Sequence, residues 1–339
     1  MKNKVRNMLI ILIITIIVFY ILFKDSYKAI GYSLMNANVL YLLLAFLVYS
    51  IYFIFDTIPF YNFAKQYNKD ISFKYMIYLN TVTKFFNGIT PLSTGGQPFQ
   101  VLELKKKNIS PSNGTNIVVQ NYIVFQIALV VWGIAAIILN RVFNLFEPDP
   151  ILKNLCIIGY TLNFIILFLL FLISLSERVN KAVVRRVISL LHKIKIVRNK
   201  EKQQEKWNNI CEDFYINSKL LMNNKKIFIS GVVMQLICLT IYFLLPLILS
   251  YSIGCSDSIS IVVALSAGAY IFLMGCYIPI PGATGGMEFA FLGFYGNYIN
   301  GVNLDTLLIL WRTLTYYLPT LIGGVVFNIN SSRLKRNNK

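Results

Sequence analysis

Apolar residues dominate seven stretches of the chain: Met8–Phe23, Val39–Phe55, Ile117–Leu139, Leu155–Leu175, Ile227–Leu249, Ile259–Ile278 and Leu304–Val326. Short polar segments, mostly basic, separate them. Several are long enough to cross a hydrocarbon core of roughly 30 Å at about 1.5 Å per residue. Strands of a membrane barrel would give shorter, alternating segments. The pattern therefore predicts an all-α polytopic membrane protein.

Two of the apolar regions are interrupted by the same motif, 190 residues apart. Pro91-Leu-Ser-Thr94-Gly95-Gly96-Gln97-Pro98-Phe99 and Pro281-Gly-Ala-Thr284-Gly285-Gly286-Met287-Glu288-Phe289 both read P-x-[SA]-T-G-G-x-x-F. Helix-breaking residues at membrane depth are costly unless their backbone lines a cavity or is buried in protein. Paired Gly/Pro interruptions in matching halves point to a transporter's binding site. A plain kink at a close helix contact is the simpler reading of one copy, since small residues favour such contacts. Two copies make it the weaker one.

Charge then fixes a topology. The N-terminus, the segment Lys65–Lys74, the cluster Lys105-Lys106-Lys107, the loop 176–226 and the tail Arg333–Lys339 are basic. The loop alone carries thirteen Lys/Arg against five Asp/Glu. Lysine and arginine mark the cytoplasmic side of a membrane. If residues 71–89 crossed fully, the lysine cluster would fall outside. Re-entrant hairpins at the two motifs remove the conflict: 71–89 with its return through 97–104, and 259–278 with its return through 287–297. Six full crossings remain, near 8–23, 38–58, 115–139, 153–175, 227–250 and 303–328, with both termini cytoplasmic in the plasma membrane. The first run reads as a signal anchor. The chain is a single membrane domain: repeat A over 38–139, a basic linker 176–226, and repeat B over 227–329 with inverted topology. Apolar positions Val183, Val187, Leu190, Leu191 and Ile194 give the linker an amphipathic, interfacial helix, or equally a solvated connector.

Composition agrees: 56% of residues are hydrophobic and the mean hydropathy is +0.62. The net charge of +18 sits in loops, where it sets orientation and meets anionic lipid, so direct nucleic-acid binding is not expected. Five scattered cysteines and one histidine, His192, exclude a zinc cluster or a histidine triad. No nucleotide-binding loop of the G-x-x-x-x-G-K-[ST] type is present, and no cofactor is implied.

Ionisable residues within membrane segments are functional candidates. Glu288, Glu103, Arg312, Lys84 and Asp56 stand out, with Asp56 and Glu103 also consistent with interfacial positions. The starts of the return helices at Gly95-Gly96 and Gly285-Gly286 can offer backbone N–H groups to an anion. Arg312 can hold a phosphodiester in bidentate fashion. Glu288 and Glu103 can meet a cationic headgroup. The predicted site comprises Thr94, Gly95, Gly96, Gln97, Glu103, Thr284, Gly285, Gly286, Glu288 and Arg312, and it suits an anionic or aminoacylated phospholipid.

The run from Phe86 through Lys107 resembles the first signature of the lysylphosphatidylglycerol synthase/flippase transmembrane family. Ile280 through Phe289, with Trp311-Arg312 downstream, resembles its second. The resemblance covers essentially the whole chain. It implies a flippase-like protein translocating phospholipid, lysyl-phosphatidylglycerol above all, between leaflets, with resistance to cationic peptides as the consequence. Full-length relatives add a cytoplasmic domain that transfers lysine from lysyl-tRNA to phosphatidylglycerol; these 339 residues contain no counterpart, so the chain alone is not expected to be an enzyme. Two alternatives follow from the resemblance: phosphatidylglycerol lysyltransferase activity with a separate aminoacyltransferase partner, or an accessory role in polyprenyl-phosphate or glycolipid metabolism beside a glycosyltransferase.

Overall fold

The computed structural model describes residues 27–337, apart from 148, 194–200, 202–206, 208–210, 213, 217, 220–223 and 276–277. The first apolar run, 8–23, and Ile194 of the linker lie outside the described residues. Every regular element among those described is helical. Helices α1 (Tyr27–Met35), α2 (Val39–Lys65) and α3 (Phe73–Gly88) lead to a short turn, Pro91–Ser93, and then α4 (Gly96–Lys105). Next come α5 (Pro111–Phe143), α6 (Pro150–Leu175) and α7 (Glu177–Lys193). The second half holds α8 (Lys225–Phe243), α9 (Leu245–Ser252), α10 (Ile261–Gly275), a turn at Pro281–Ala283, α11 (Gly286–Tyr295), α12 (Gly301–Arg312) and α13 (Leu318–Asn337).

Helix starts follow from capping chemistry. Ser72, Ser110 and Asp149 accept hydrogen bonds from the first-turn N–H groups of α3, α5 and α6, and α5 and α6 each begin on a proline. Both devices satisfy or remove donors that a helix cannot pair by itself. Four described segments are long and apolar enough to cross a membrane: Val39–Lys65, Pro111–Phe143, Pro150–Leu175 and Lys225–Ser252. Their ends differ from the expected ones. The helix expected to stop near residue 58 runs to Lys65, because Asp56 and Thr57 are paired inside the protein rather than at water.

Prolines reshape the later passes. The pass 227–250 bends at Leu244, two residues before Pro246. The last pass is a helix pair joined by a π-helical segment, Thr313–Tyr317. Pro319 lacks an N–H, and its ring crowds the carbonyl four residues earlier, that of Thr315, which favours such widening.

Helix α10 is only 15 residues long and buried along most of its length by α5, α6, α8 and α11. At about 22 Å it is too short to span the hydrocarbon alone. By contrast α6 is exposed on most faces, as expected of a helix wetted by lipid. On α7, which begins two residues after α6 ends, Val183, Val187 and Leu190 are exposed while Ile188 is buried, giving an apolar strip flanked by arginines.

Candidate functional site

The elements recur at a fixed offset. Turn Pro91–Ser93 and turn Pro281–Ala283 are 190 residues apart, as are the starts and ends of α4 and α11, and the starts of α5 and α12. The backbone agrees in detail. Leu92 has φ 54° and ψ 16°, and Gly282 has φ 64° and ψ 12°. Ser93 and Ala283 both have φ 52°. Thr94 Oγ1 donates to Pro91 O at 3.1 Å, and Thr284 Oγ1 to Pro281 O at 2.9 Å. The two turns pack directly on one another.

Beyond the threonines the copies diverge. In the first, Gly95 has ordinary helical angles, and its N–H donates to Thr90 Oγ1 at 2.8 Å. The Gly96 N–H donates to Asn87 Oδ1 at 2.9 Å. In the second, Gly285 has φ 91°, where only glycine is at ease, and its N–H donates to Glu288 Oε2 at 2.6 Å. Hence three of the four N–H groups expected to face an anion, those of Gly95, Gly96 and Gly285, are already taken. The reason is general: a backbone donor away from water must find a partner, and Thr90, Asn87 and Glu288 supply one.

Glu288 and Arg312 form the charged part of the second turn. Arg312 Nε lies 2.6 Å from Glu288 Oε1, and their side chains are 3% and 1% exposed, so the pair is sealed. Arg312 Nη2 donates to Gly282 O at 2.9 Å. The guanidinium also lies 4.9 Å from the Tyr316 ring centroid. One carboxylate thus caps α11 and anchors the arginine, which in turn holds the turn's carbonyl. A bidentate grip on phosphate by this arginine is not available in the present arrangement, since all three of its nitrogens are engaged within the protein, Nη1 with Met287 Sδ at 3.8 Å.

Tyr316 OH donates to Gly88 O at 2.9 Å, tying the π segment to the end of α3. Helices α3 and α13 cross closely because Gly88 and Gly323 leave no side chain between them; a Cβ on Gly323 would sit 2.4 Å from Thr81 O.

The remaining expected residues are not all gathered here. Gln97 leaves its Oε1 buried without a partner. Thr94 is exposed and Thr284 buried. Glu103 lies at the far end of α4, about 10 Å along the axis from Gly96. There it pairs with Lys106 at 2.5 Å and accepts from Tyr75 OH at 3.2 Å, apart from Glu288 and Arg312.

A second interior charge cluster joins Asp56 and Lys84, which sequence reading singled out separately. Lys84 Nζ lies 2.8 Å from Asp56 Oδ2. Asn80 Nδ2 donates to the same oxygen at 3.2 Å, and Gln235 Nε2 to Oδ1 at 3.4 Å. Asn80 and Gln235 were missed. The available signal was their place on the inward stripes of α3 and α8.

These features define an all-helical polytopic membrane protein in which two interrupted helices meet. Within that class the chain belongs to the family described as the lysylphosphatidylglycerol synthase TM region, whose model matches residues 7–323. It is also similar to the UPF0104 membrane protein of Archaeoglobus fulgidus, at 24% identity over 96% of each chain.

Proposed function

We infer that the protein is a lipid translocator: it moves a phospholipid headgroup, aminoacylated phosphatidylglycerol in the first instance, between membrane leaflets. The observation that carries this reading is the contact between two turns of matching backbone, one from each half. Ser93 and Thr94 leave polar groups exposed at that meeting point. Irregular backbone at membrane depth is tolerated where it is buried in protein or lines an aqueous space. Two inverted repeats, 38–139 and 227–329, would then meet at a common site, the arrangement used by many secondary transporters.

In this reading the Thr-Gly-Gly turns are the floor and roof of the headgroup path. Gln97 contributes an unpartnered acceptor, Glu103 lies toward the cytoplasmic end, and the sealed Glu288–Arg312 pair braces the roof. A headgroup shielded by such groups avoids the cost of carrying bare charge through hydrocarbon. The basic segments orient the molecule with both termini in the cytoplasm, in the plasma membrane.

The test is a leaflet-resolved assay in reconstituted vesicles, using fluorescent phosphatidylglycerol and its lysyl derivative. Faster transbilayer movement than in protein-free vesicles is expected. Rates no faster than in protein-free vesicles, for both lipids, would overturn the proposal.

A further inference from the structure

We propose that Asp56 and Lys84 form an exchangeable binding site for a headgroup carrying both a phosphodiester and an ammonium. The inference rests on the lipid-handling reading above and deepens it by naming a site and a selectivity.

The argument begins with helix periodicity. On α2, Ala45, Tyr49, Tyr52, Phe60 and Phe63 are buried and fall on one stripe, and Asp56 belongs to the same stripe. Leu43, Leu47, Ile51 and Ile54 are exposed on the other side, and Ile54 lies about 200° around the helix from Asp56. Yet the side chains of Asp56 and Lys84 remain 18% and 23% accessible. Their open surface therefore faces the bundle interior. A charged pair held there needs a polar opening, because ionisable groups at membrane depth face water-filled space or one another.

The contrast with the other pair is direct. Glu288 and Arg312 are closed on all sides and bound to backbone, whereas Asp56 is held by side chains alone, from two helices: Lys84 and Asn80 on α3, and Gln235 on α8. Each of these can rotate away. Tyr52 sits beside Lys84, its hydroxyl 3.4 Å from Nζ, and its ring lies tilted against that of Tyr242 at 5.1 Å between centroids. Helix α2 also packs against the π segment that follows Arg312.

Charge conservation gives the selectivity. A phosphodiester alone would draw Lys84 away and strand Asp56, and an uncompensated buried charge is strongly unfavourable. A headgroup bearing phosphate and ammonium replaces one ion pair by two: Lys84 with phosphate, Asp56 with ammonium. No charge is stranded at any stage of that exchange.

The experiment uses the full chain in detergent, titrated with dihexanoylphosphatidylethanolamine, dihexanoylphosphatidylglycerol and glycerophosphoethanolamine, read by calorimetry. The zwitterionic lipid is expected to bind at least about tenfold more tightly than the glycerol lipid, the scale of one charge-assisted contact. The neutral double variant Asp56→Asn/Lys84→Met should erase that preference while its Tm stays close to the parent's. Equal affinity for the two lipids in the unmodified protein, or a preference retained in the double variant, would overturn the site. The unmodified protein alone decides the matter if the variant does not fold. Binding of glycerophosphoethanolamine as tight as the lipid's would keep the chemistry and assign it to a soluble source. Translocation without headgroup preference would overturn this site and leave the transport reading standing; preference without translocation would do the reverse.

Discussion

Leu92 and Gly282 hold the same left-handed backbone conformation 190 residues apart, one with a branched side chain and one with none. The turn geometry is therefore imposed by its surroundings, because the first copy adopts it against the preference of its own residue. A left-handed non-glycine residue costs roughly 1–2 kcal/mol. The two positions differ in what surrounds them: Leu92 is 45% exposed, whereas a Cβ on Gly282 would lie 2.3 Å from the Tyr316 ring.

That difference makes opposite substitutions asymmetric. Leu92→Gly is expected to stabilise the protein by about 1 kcal/mol through relief of the backbone, since little packing is lost. Gly282→Ala is expected to destabilise by more than about 2 kcal/mol, because backbone strain and the clash with Tyr316 act together. Thermal unfolding of both variants in the same detergent checks the sign of each.

The Glu288–Arg312 pair is expected to act as one unit. Removing either partner alone by Glu288→Gln or Arg312→Met should cost about 3–5 kcal/mol, since the other charge stays buried. Combining the two should cost less than the sum, with a coupling of at least about 2 kcal/mol. A double-mutant cycle on unfolding free energy measures it, and strict additivity would remove the pair from the account of the second turn.

At the crossing of α3 and α13, Gly323→Ala is expected to lose about 1–3 kcal/mol by pushing against Thr81 O. Gly31 in α1 offers the control, as nothing lies within 4 Å of its Cβ position. There alanine should gain about 0.5–1 kcal/mol of helix stability. Melting temperatures of the two variants should move in opposite directions.

Orientation is open to labelling. A cysteine at Lys106, introduced after the native cysteines are replaced by serine, is expected to react with a membrane-impermeant maleimide only from the cytoplasmic side. Labelling of intact cells at that position would reverse the assigned topology.

Much of this architecture was legible because membrane helices announce themselves by uninterrupted apolar residues, and Gly/Pro motifs stand out against them. The motif at Pro91–Phe99 located the first turn, and its twin located the second, within a few residues. What stayed hidden depends on contacts between helices. Asn87 and Thr90 look unremarkable in sequence, yet they cap Gly96 and Gly95 because the chain folds back on itself at Pro91. The Asp56–Lys84 pair joins residues 28 positions apart, and only the relative rotation of α2 and α3 brings them face to face. Glu103 was assigned to the headgroup path from proximity in sequence to Gln97. Six residues of helix separate the two, and Glu103 sits beside Tyr75 and Lys106.

The unequal capping of the two turns has an energetic corollary. A carrier whose halves were interchangeable would favour neither of its opposite-facing forms, since swapping the roles of the halves would turn one into the other. Here one half is fastened by neutral groups, Thr90 and Asn87, and the other by a salt-linked carboxylate. If the proposed translocation runs through two opposite-facing forms, they would differ in free energy before any lipid arrives, and the molecule would rest facing one leaflet by its own chemistry.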